Sequence, residues 1–268
     1  TSVVTAVVPV AHVPFNIVKS HLLLGERVVV VDAGPPGGER RILRTLEAGG
    51  RVADDVSLIV VSHTHTDHAG GAAALAAATG APIALHRSEL AYARGEACCP
   101  RTPTGWPGRL FGLTPPPRRP FTPFEPDVLV GAHLDLREHG VEADVLHVGG
   151  HTPGSLAVHV PSSGELLAVD LLAGGVLIGG LARHGRVIDP PFHEDRGKVV
   201  AAVRALLGRG SLTAVHVCHG GPLHPDSVSA WAGRQAPDLP DRIGFAGSDR
   251  GGQRLNLDPP ICPGGAPV

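Results

Sequence analysis

Methionine is missing from this 268-residue chain, initiator included, so Thr1 is expected to follow a removed start residue. Four cysteines are present, at positions 98, 99, 218 and 262. They lack zinc-finger spacing, adjacent Cys98 and Cys99 do not make a redox C-x-x-C pair, and four are few for a disulfide framework. Reduced thiols in the cytoplasm are therefore the expectation. No uncharged apolar run reaches the length of a membrane span (about 18 residues) without Gly or Pro, and the first thirteen residues hold no basic residue, so neither a span nor a signal peptide is read. Charge is nearly balanced, with a formal net of −2. That gives no reason to expect nucleic acid or an anionic membrane surface as partner. Aromatic residues are scarce, at nine in the whole chain, so where they gather is informative.

Histidine, by contrast, is plentiful, and three of the sixteen crowd one spot. In Val61-Ser62-His63-Thr64-His65-Thr66-Asp67-His68-Ala69-Gly70-Gly71, three imidazoles and a carboxylate occupy six positions directly after the apolar run Ser57-Leu58-Ile59-Val60-Val61. The run has the β-branched and aliphatic character of a buried strand, and the Ala-rich segment 69–79 that follows reads as a helix. Ligands on a strand-to-helix turn can converge on one side. Neutral imidazole with carboxylate suits zinc, and iron or manganese as well, rather than calcium. A single loop histidine is most often just solvated; H-x-H-x-D-H in this setting is a metal site. Three more segments present a His or Asp after a strand-like stretch, where a rigid scaffold displays functional groups. They are His151 in Gly149-Gly150-His151-Thr152-Pro153-Gly154-Ser155, Asp170 after Glu165-Leu166-Leu167-Ala168-Val169, and His219 in Val217-Cys218-His219-Gly220-Gly221-Pro222. Cys218, next to His219, is expected to point away from the metal as a strand neighbour and to be structural.

Strands are read at 2–8, 15–24, 27–32, 57–61, 82–85, 127–130, 133–136, 141–148, 155–160, 165–170 and 212–217, with helices at 39–48, 69–79, 87–93 and 194–207. Two sheet-forming blocks, each supplying helices, with the metal loops at strand ends, fit a two-sheet core flanked by helices. A chain of this length with 43% hydrophobic residues can bury such a core as one domain. Residues 237–268 contain 12 Gly or Pro in 32 and little periodic apolar signal, and read as an extended tail. Residues 94–123 hold eight prolines, five arginines and one acid. Five of the nine aromatics (Tyr92, Trp106, Phe111, Phe121 and Phe124) fall within 92–124. This stretch reads as a substrate-facing loop; the alternative is a Pro-rich surface excursion whose aromatics staple it to the body.

This order of motifs, from Asp32 in Val31-Asp32-Ala33-Gly34 to Pro222, resembles the metallo-β-lactamase superfamily. The resemblance implies an αββα sandwich over residues 1–236, with 237–268 as the tail. It implies two metal ions, expected to be zinc. His63, His65 and His151 would hold the first, Asp67, His68 and His219 the second, and Asp170 would bridge them. Asp32 would orient the ligands of the metal loop by hydrogen bonds.

Such a pair of ions makes hydroxide from water at neutral pH and polarises a carbonyl. The expected reaction is hydroxide attack on an acyl carbon, with Asp67 and Asp170 holding or orienting the water through the metals. His86, His184 and His193 are the histidines that could donate a proton. A drug-hydrolysing β-lactamase is disfavoured, because Asp170 stands where those enzymes usually have Cys or Ser. An acyl-homoserine lactonase typically has Tyr where this chain has Ala173, and glyoxalase II carries a helical C-terminal domain where here only 49 residues follow His219. A thioester or ester hydrolase is the leading expectation, including those acting on carrier- or coenzyme A-bound polyketide or acyl groups. Lactonase and hydroxyacylglutathione hydrolase stand as alternatives, and an iron-dependent persulfide dioxygenase, a flavodiiron protein or a nuclease as remoter ones. Arg101, Arg109, Arg118 and Arg119, with Trp106 and Phe111, are expected to grip the anionic handle and acyl part of a small-molecule or carrier-bound substrate.

Overall fold

The structure is a computed structural model and describes residues 5–13, 17–99, 101–113, 121–176 and 182–235. The expected tail at 237–268, and Arg118 and Arg119, lie outside the described residues, as do the side chains of Trp106 and Phe111.

Two sheets face one another. The first has six strands in the order of the chain: β1 (Ala6–Ala11), β2 (Lys19–Leu24), β3 (Val28–Val31), β4 (Val56–Val60), β5 (Ile83–His86) and β6 (Val128–Val130). β1 to β3 are antiparallel and β3 to β6 parallel. The parallel crossovers carry helices α1 (Glu39–Ala48), α2 (Thr66–Ala69), α3 (Ala72–Thr79) and α4 (Leu90–Ala93), while α5 (Gly105–Gly112) precedes β6. The second sheet takes β7 (His133–Asp135), β8 (Asp144–His147), β9 (Leu156–Val160) and β10 (Glu165–Val169), with β13 (Ala214–Val217) beyond β10 at the edge. A hairpin of β11 (Ala173–Val176) and β12 (Ala182–Ile188) stands apart, and α6 (Arg196–Leu207) and α7 (Pro225–Gly233) cover the second sheet.

The period of two along β3 shows how the layers form. Val28 and Val30 pack with Ile42 and Leu46 of α1 and Leu75 of α3. Val29 and Val31 pack between the sheets against Val145, Val158 and Leu167. All four valines are fully buried, which is why this strand reads as a continuous apolar run; each contributes about 1.5–3 kcal/mol of burial. On the far side, Leu166, Ala168 and Val215 pack against Val199 and Val203 of α6 and Trp231 of α7. Helix, sheet, sheet and helix thus make the expected αββα sandwich.

Several boundaries differ from expectation. The helix read at 69–79 is two helices broken at Gly70 and Gly71, where a Cβ on Gly71 would stand 2.5 Å from the Ala33 carbonyl. That close approach lets the metal loop press against the turn after β3. Strand β8 starts at Asp144 rather than 141, because Gly140 takes a left-handed turn (φ 79°). The Arg- and Pro-rich stretch contains α5, and the hairpin and α7 are elements that the sequence pattern does not reveal. Among the described residues no helix is long and apolar enough to cross a membrane.

Candidate metal centre

The donor groups come from the ends of strands that the two sheets bring to one edge. The turn after β4 supplies His63, His65, Asp67 and His68, the turn after β8 supplies His151, the end of β10 supplies Asp170, and the turn after β13 supplies His219. Backbone hydrogen bonds stitch these turns together: Leu156 N to the Ser62 carbonyl (3.0 Å), Ala33 N to the His68 carbonyl (2.8 Å) and Cys218 N to the Val169 carbonyl (3.2 Å). Val169 itself has φ 48°, costly for a β-branched residue, and the turn it makes carries Asp170 into the cleft.

All seven expected ligands converge. Nε2 of His63 and Nε2 of His151 stand 3.0 and 3.1 Å from Nδ1 of His65. Asp170 Oδ2 is the common point, at 4.0 Å from His63 Nε2, 3.6 Å from His151 Nε2, 3.3 Å from His68 Nε2 and 3.2 Å from His219 Nε2. Asp67 Oδ2 closes the second half at 3.4 Å from His219 Nε2 and 3.8 Å from His68 Nε2. Donor atoms brought this close from four separate loops make two groups that could each hold a metal ion. His68 Nε2 and Asp170 Oδ1 are moreover buried without a hydrogen-bond partner. Imidazole nitrogen and carboxylate oxygen in this number fit two zinc-class ions, one in each half.

Electrostatics splits the halves in the same way. Burial, reinforced by neighbouring imidazoles, holds His63 and His151 well below the usual histidine range. Burial opposes charge on His68 and His219 too, yet nearby Cys218, Asp170 and Asp67 carry both well above it. The second half draws positive charge.

Most of these ring orientations are fixed by the nitrogen that does not face the centre. His151 Nδ1 donates to the Phe192 carbonyl (2.9 Å) and His219 Nδ1 to the Ile17 carbonyl (2.5 Å). Asp32, buried and held at φ 63°, makes three such bonds: Oδ1 accepts from Ser62 N (2.7 Å), and Oδ2 from Ser62 Oγ (2.9 Å) and His68 Nδ1 (2.8 Å). Ser62 Oγ in turn accepts from His63 Nδ1 (3.0 Å), so one carboxylate aligns a ligand of each half.

Sequence reasoning missed Glu89. Fully buried, it accepts from Thr64 N (3.0 Å) and Thr64 Oγ1 (2.5 Å) with one oxygen and from Gly154 N (2.9 Å) with the other, tying the His63–His65 turn to the His151 loop. Only Gly fits at 154, since a Cβ there would lie 2.5 Å from Glu89 Cγ.

Other expectations are corrected. Cys218 does not point away: its Sγ lies within 4.8 Å of donor atoms of His68, Asp170 and His219. Strand alternation fails as the reason, because β13 ends at Val217. Cys98 is disulfide-bonded, so the thiols are not all reduced; Cys99 and Cys218 are free. Of the three histidines considered as proton donors, His86 stacks on His147 and accepts from Ser88 N, and His184 is exposed on the hairpin. His193 packs behind the centre, with Nδ1 3.3 Å from His151 Nδ1, the nitrogen that faces away from it, and burial lowers it to about 4, so it is neutral at neutral pH.

Part of the stretch read as a substrate-facing loop runs beside the segment that carries Phe192 and His193. Thr104 N donates to the Pro191 carbonyl (2.7 Å) and His193 N to the Thr102 carbonyl (3.0 Å), which lays residues 102–104 along the strip that holds His151. Arg101 and Arg109 are exposed there. Phe124 and Phe121 instead pack into the helix-side core, with ring centroids 5.8 Å apart, as the stapling alternative has it.

The chain is thus a four-layer sandwich with a His- and Asp-lined candidate metal site at one edge. A sequence model of the Metallo-beta-lactamase superfamily matches residues 14–219, and the chain belongs to that superfamily. It is similar to a hydroxyacylglutathione hydrolase of Dechloromonas aromatica (strain RCB), 33% identical over 153 residues that make up 57% of this chain and 43% of that protein. The chain thus matches less than half the length of this curated relative. Among solved structures it is similar to a metallo-beta-lactamase family protein from Thermus thermophilus (TM-score 0.58, 23% identity, 86% of this chain and 78% of that one). It is also similar to a metallo-beta-lactamase from Pontibacter korlensis (TM-score 0.56, 19% identity, 81% and 89%). Identities this low speak for the fold alone.

Proposed function

We propose that the protein is a dinuclear metal hydrolase of acyl thioesters or esters. The observation that carries the reading is the convergence of four imidazoles on Asp170 Oδ2, where His68 Nε2 and Asp170 Oδ1 are buried without a hydrogen-bond partner. His63, His65 and His151 would hold one ion and Asp67, His68 and His219 the other, with Asp170 available to both; zinc is the expected metal, with iron and manganese admitted by the same donors. Two such ions, when bound, lower the pKa of water and polarise an acyl carbonyl.

The chain's own residues supply the rest. Asp32, Phe192 and Ile17 fix ligand rings, and Glu89 fixes the distance between two ligand loops. Asp67, with its side chain 35% exposed, is the most open of the seven donors and stands where solvent and substrate enter. Arg101 and Arg109 at the rim suit a carboxylate or phosphate on the leaving group, and Arg118, Arg119, Trp106 and Phe111 belong to the same proposed loop. A thioester with an anionic thiol part joins these features, whether glutathione, coenzyme A or a phosphopantetheine carrier. The similarity to a hydroxyacylglutathione hydrolase favours this bond type over lactones and phosphodiesters. We place the domain at 1–236 and the tail after it. A cytoplasmic setting accords with a glutathione or coenzyme A substrate, and the Cys98 disulfide is the observation against it.

Metal analysis coupled to a hydrolysis panel tests the reading. The panel holds hydroxyacylglutathione, acyl-coenzyme A, a lactone, a cephalosporin reporter and a phosphodiester, with oxygen uptake of the iron-loaded protein measured alongside. Turnover of a thioester well above the rest is expected. Failure to take up metal, or turnover of the phosphodiester or oxygen alone, would refute it.

A further inference from the structure

We propose that Cys218 is an eighth donor, giving the second metal position a sulfur ligand beside His68, Asp170 and His219. The inference rests on the two-metal reading above and concerns what kind of ion its second half takes.

Cys218 follows the last residue of β13 and lies at the bottom of the cleft, where the layer between the sheets meets the metal turns. It belongs to the same buried cluster as Val31, Val60 and Val169, which end the strands carrying Asp32, the H-x-H-x-D-H turn and Asp170. The thiol is 1% exposed. One donor atom each of His68, Asp170, Cys218 and His219 lies within 4.8 Å of every other. At zinc bond lengths of about 2.3 Å to sulfur and 2.0–2.1 Å to nitrogen, two ligands of one tetrahedral ion stand about 3.3–3.6 Å apart. The four atoms therefore need to close by at most about 1.5 Å, within the reach of side-chain rotation, to share an ion. In that group His68 Nε2 and Asp170 Oδ1 are buried without a hydrogen-bond partner, which points to an ion at this position.

The one bond the thiol makes is compatible with ligation. Sγ donates to the Lys19 carbonyl at 3.1 Å. On forming a bond to the ion, the thiol gives up its proton to solvent and that hydrogen bond, and the sulfur turns toward the cleft with a negative charge. The Lys19 ammonium, which donates to the Gly220 carbonyl, is the nearby buried cation. Sulfur in the donor set moves preference toward zinc, cobalt, cadmium and iron and away from manganese and magnesium, which the all-nitrogen-and-oxygen first half would still accept.

Cobalt(II) substitution with an optical readout tests this directly. Titrated with Co(II), the metal-free protein should develop a thiolate-to-cobalt charge-transfer band in the near ultraviolet with the second equivalent, not the first. Cys218→Ser keeps a hydroxyl to donate to Lys19, binds two equivalents, and should lose the band; Cys99→Ala should keep it. The second equivalent should bind Cys218→Ser about tenfold more weakly or worse, whereas the first is unchanged. Two cobalt ions bound with no charge-transfer band in the parent protein, or a band that survives in Cys218→Ser, would overturn the proposal while leaving the two-metal reading intact. A protein that binds no cobalt would overturn both. If Cys218→Ser does not fold, the parent protein's spectrum alone decides.

Discussion

Replacing Asp32 with Asn should weaken one metal position and spare the other. Asn tolerates the left-handed backbone at 32 (φ 63°) nearly as well as Asp, so the change isolates hydrogen bonding from strain. Asp32 accepts three bonds, and two of them fall on Oδ2, from Ser62 Oγ and His68 Nδ1. An amide must put its one acceptor at one of the two oxygen positions. Ser62 N can only donate, so the amide oxygen takes the Oδ1 place and the NH2 group faces Ser62 Oγ and His68 Nδ1. The serine hydroxyl can turn and accept while still receiving the His63 Nδ1 proton. His68 has no such freedom. To avoid two donors nose to nose it must move its proton to Nε2, the atom 3.3 Å from Asp170 Oδ2 that would bind the ion.

Loss of a hydrogen-bonded partner behind a metal ligand typically costs 10–100-fold in metal affinity, which is about 1.4–2.7 kcal/mol at about 1.4 kcal/mol per decade. Asp32→Asn should therefore show a second equivalent weakened by that factor, a first equivalent changed by less than about threefold, and a cooperative thermal transition. Competition with a chromophoric chelator measures both constants, and nitrogen chemical shifts of the His68 ring report the tautomer. Equal weakening of both equivalents would mean Asp32 acts through the shape of the whole loop. No change in either would mean the Asp32–His68 contact does not orient the ligand.

Four other outcomes are expected. His63→Ala and Asp170→Ala should each lower thioester turnover by several orders of magnitude, with metal content falling from about two to about one per chain or less; full activity in either variant would refute the site. Glu89→Gln faces an amide NH2 toward either Thr64 N or Gly154 N, leaving a buried donor unpaired at about 1–3 kcal/mol. For a chain of this size that is about 2–4 °C of melting temperature per kcal/mol, and first-half metal affinity should fall with it; an unchanged melting curve argues against the strap. Because Asp170 and Asp67 hold protons on His68 and His219 against burial, protons compete with metal in the second half. Second-equivalent affinity should then rise steeply with pH through neutrality, while the first, built on His63 and His151 rings already neutral, changes little; pH-dependent titration calorimetry separates them. Alanine at Arg101, Arg109, Arg118 and Arg119 together should raise KM for an anionic thioester and leave turnover of a small neutral ester unchanged; equal effects on both substrates would make this stretch mere surface packing.

What the sequence disclosed follows from how local each signal is. The H-x-H-x-D-H turn is legible because four donors sit within six residues of one another just past a strand end, and the structure needs only that turn's geometry to aim them. His151, Asp170 and His219 are legible as strand-end residues, but only the two-sheet fold brings both imidazoles within 4.0 Å of the carboxylate oxygen that His63 also approaches, a relation that no spacing in the chain expresses. Glu89 shows the limit. Its position in a short helical turn resembles that of any surface glutamate, and its function depends on the Gly154 loop, 65 residues away, arriving over it. The hairpin is hidden because Gly174 and Gly175 dilute its apolar pattern, and Gly174 is there because a Cβ would meet the backbone of Gly221 beside His219.

Cys218 departs from expectation for the opposite reason, a local rule carried too far. Alternation does put Val215 and Val217 of β13 in the α6 and α7 layer. One residue later the strand has ended, and the turn through the left-handed glycines 220 and 221 leaves His219 Nε2 3.2 Å from Asp170 Oδ2, with Cys218 Sγ within 4.8 Å of a donor atom of each. The alternation rule needs a continuing strand to constrain the next side chain, and the residues that build this centre are the ones placed just where the strands stop.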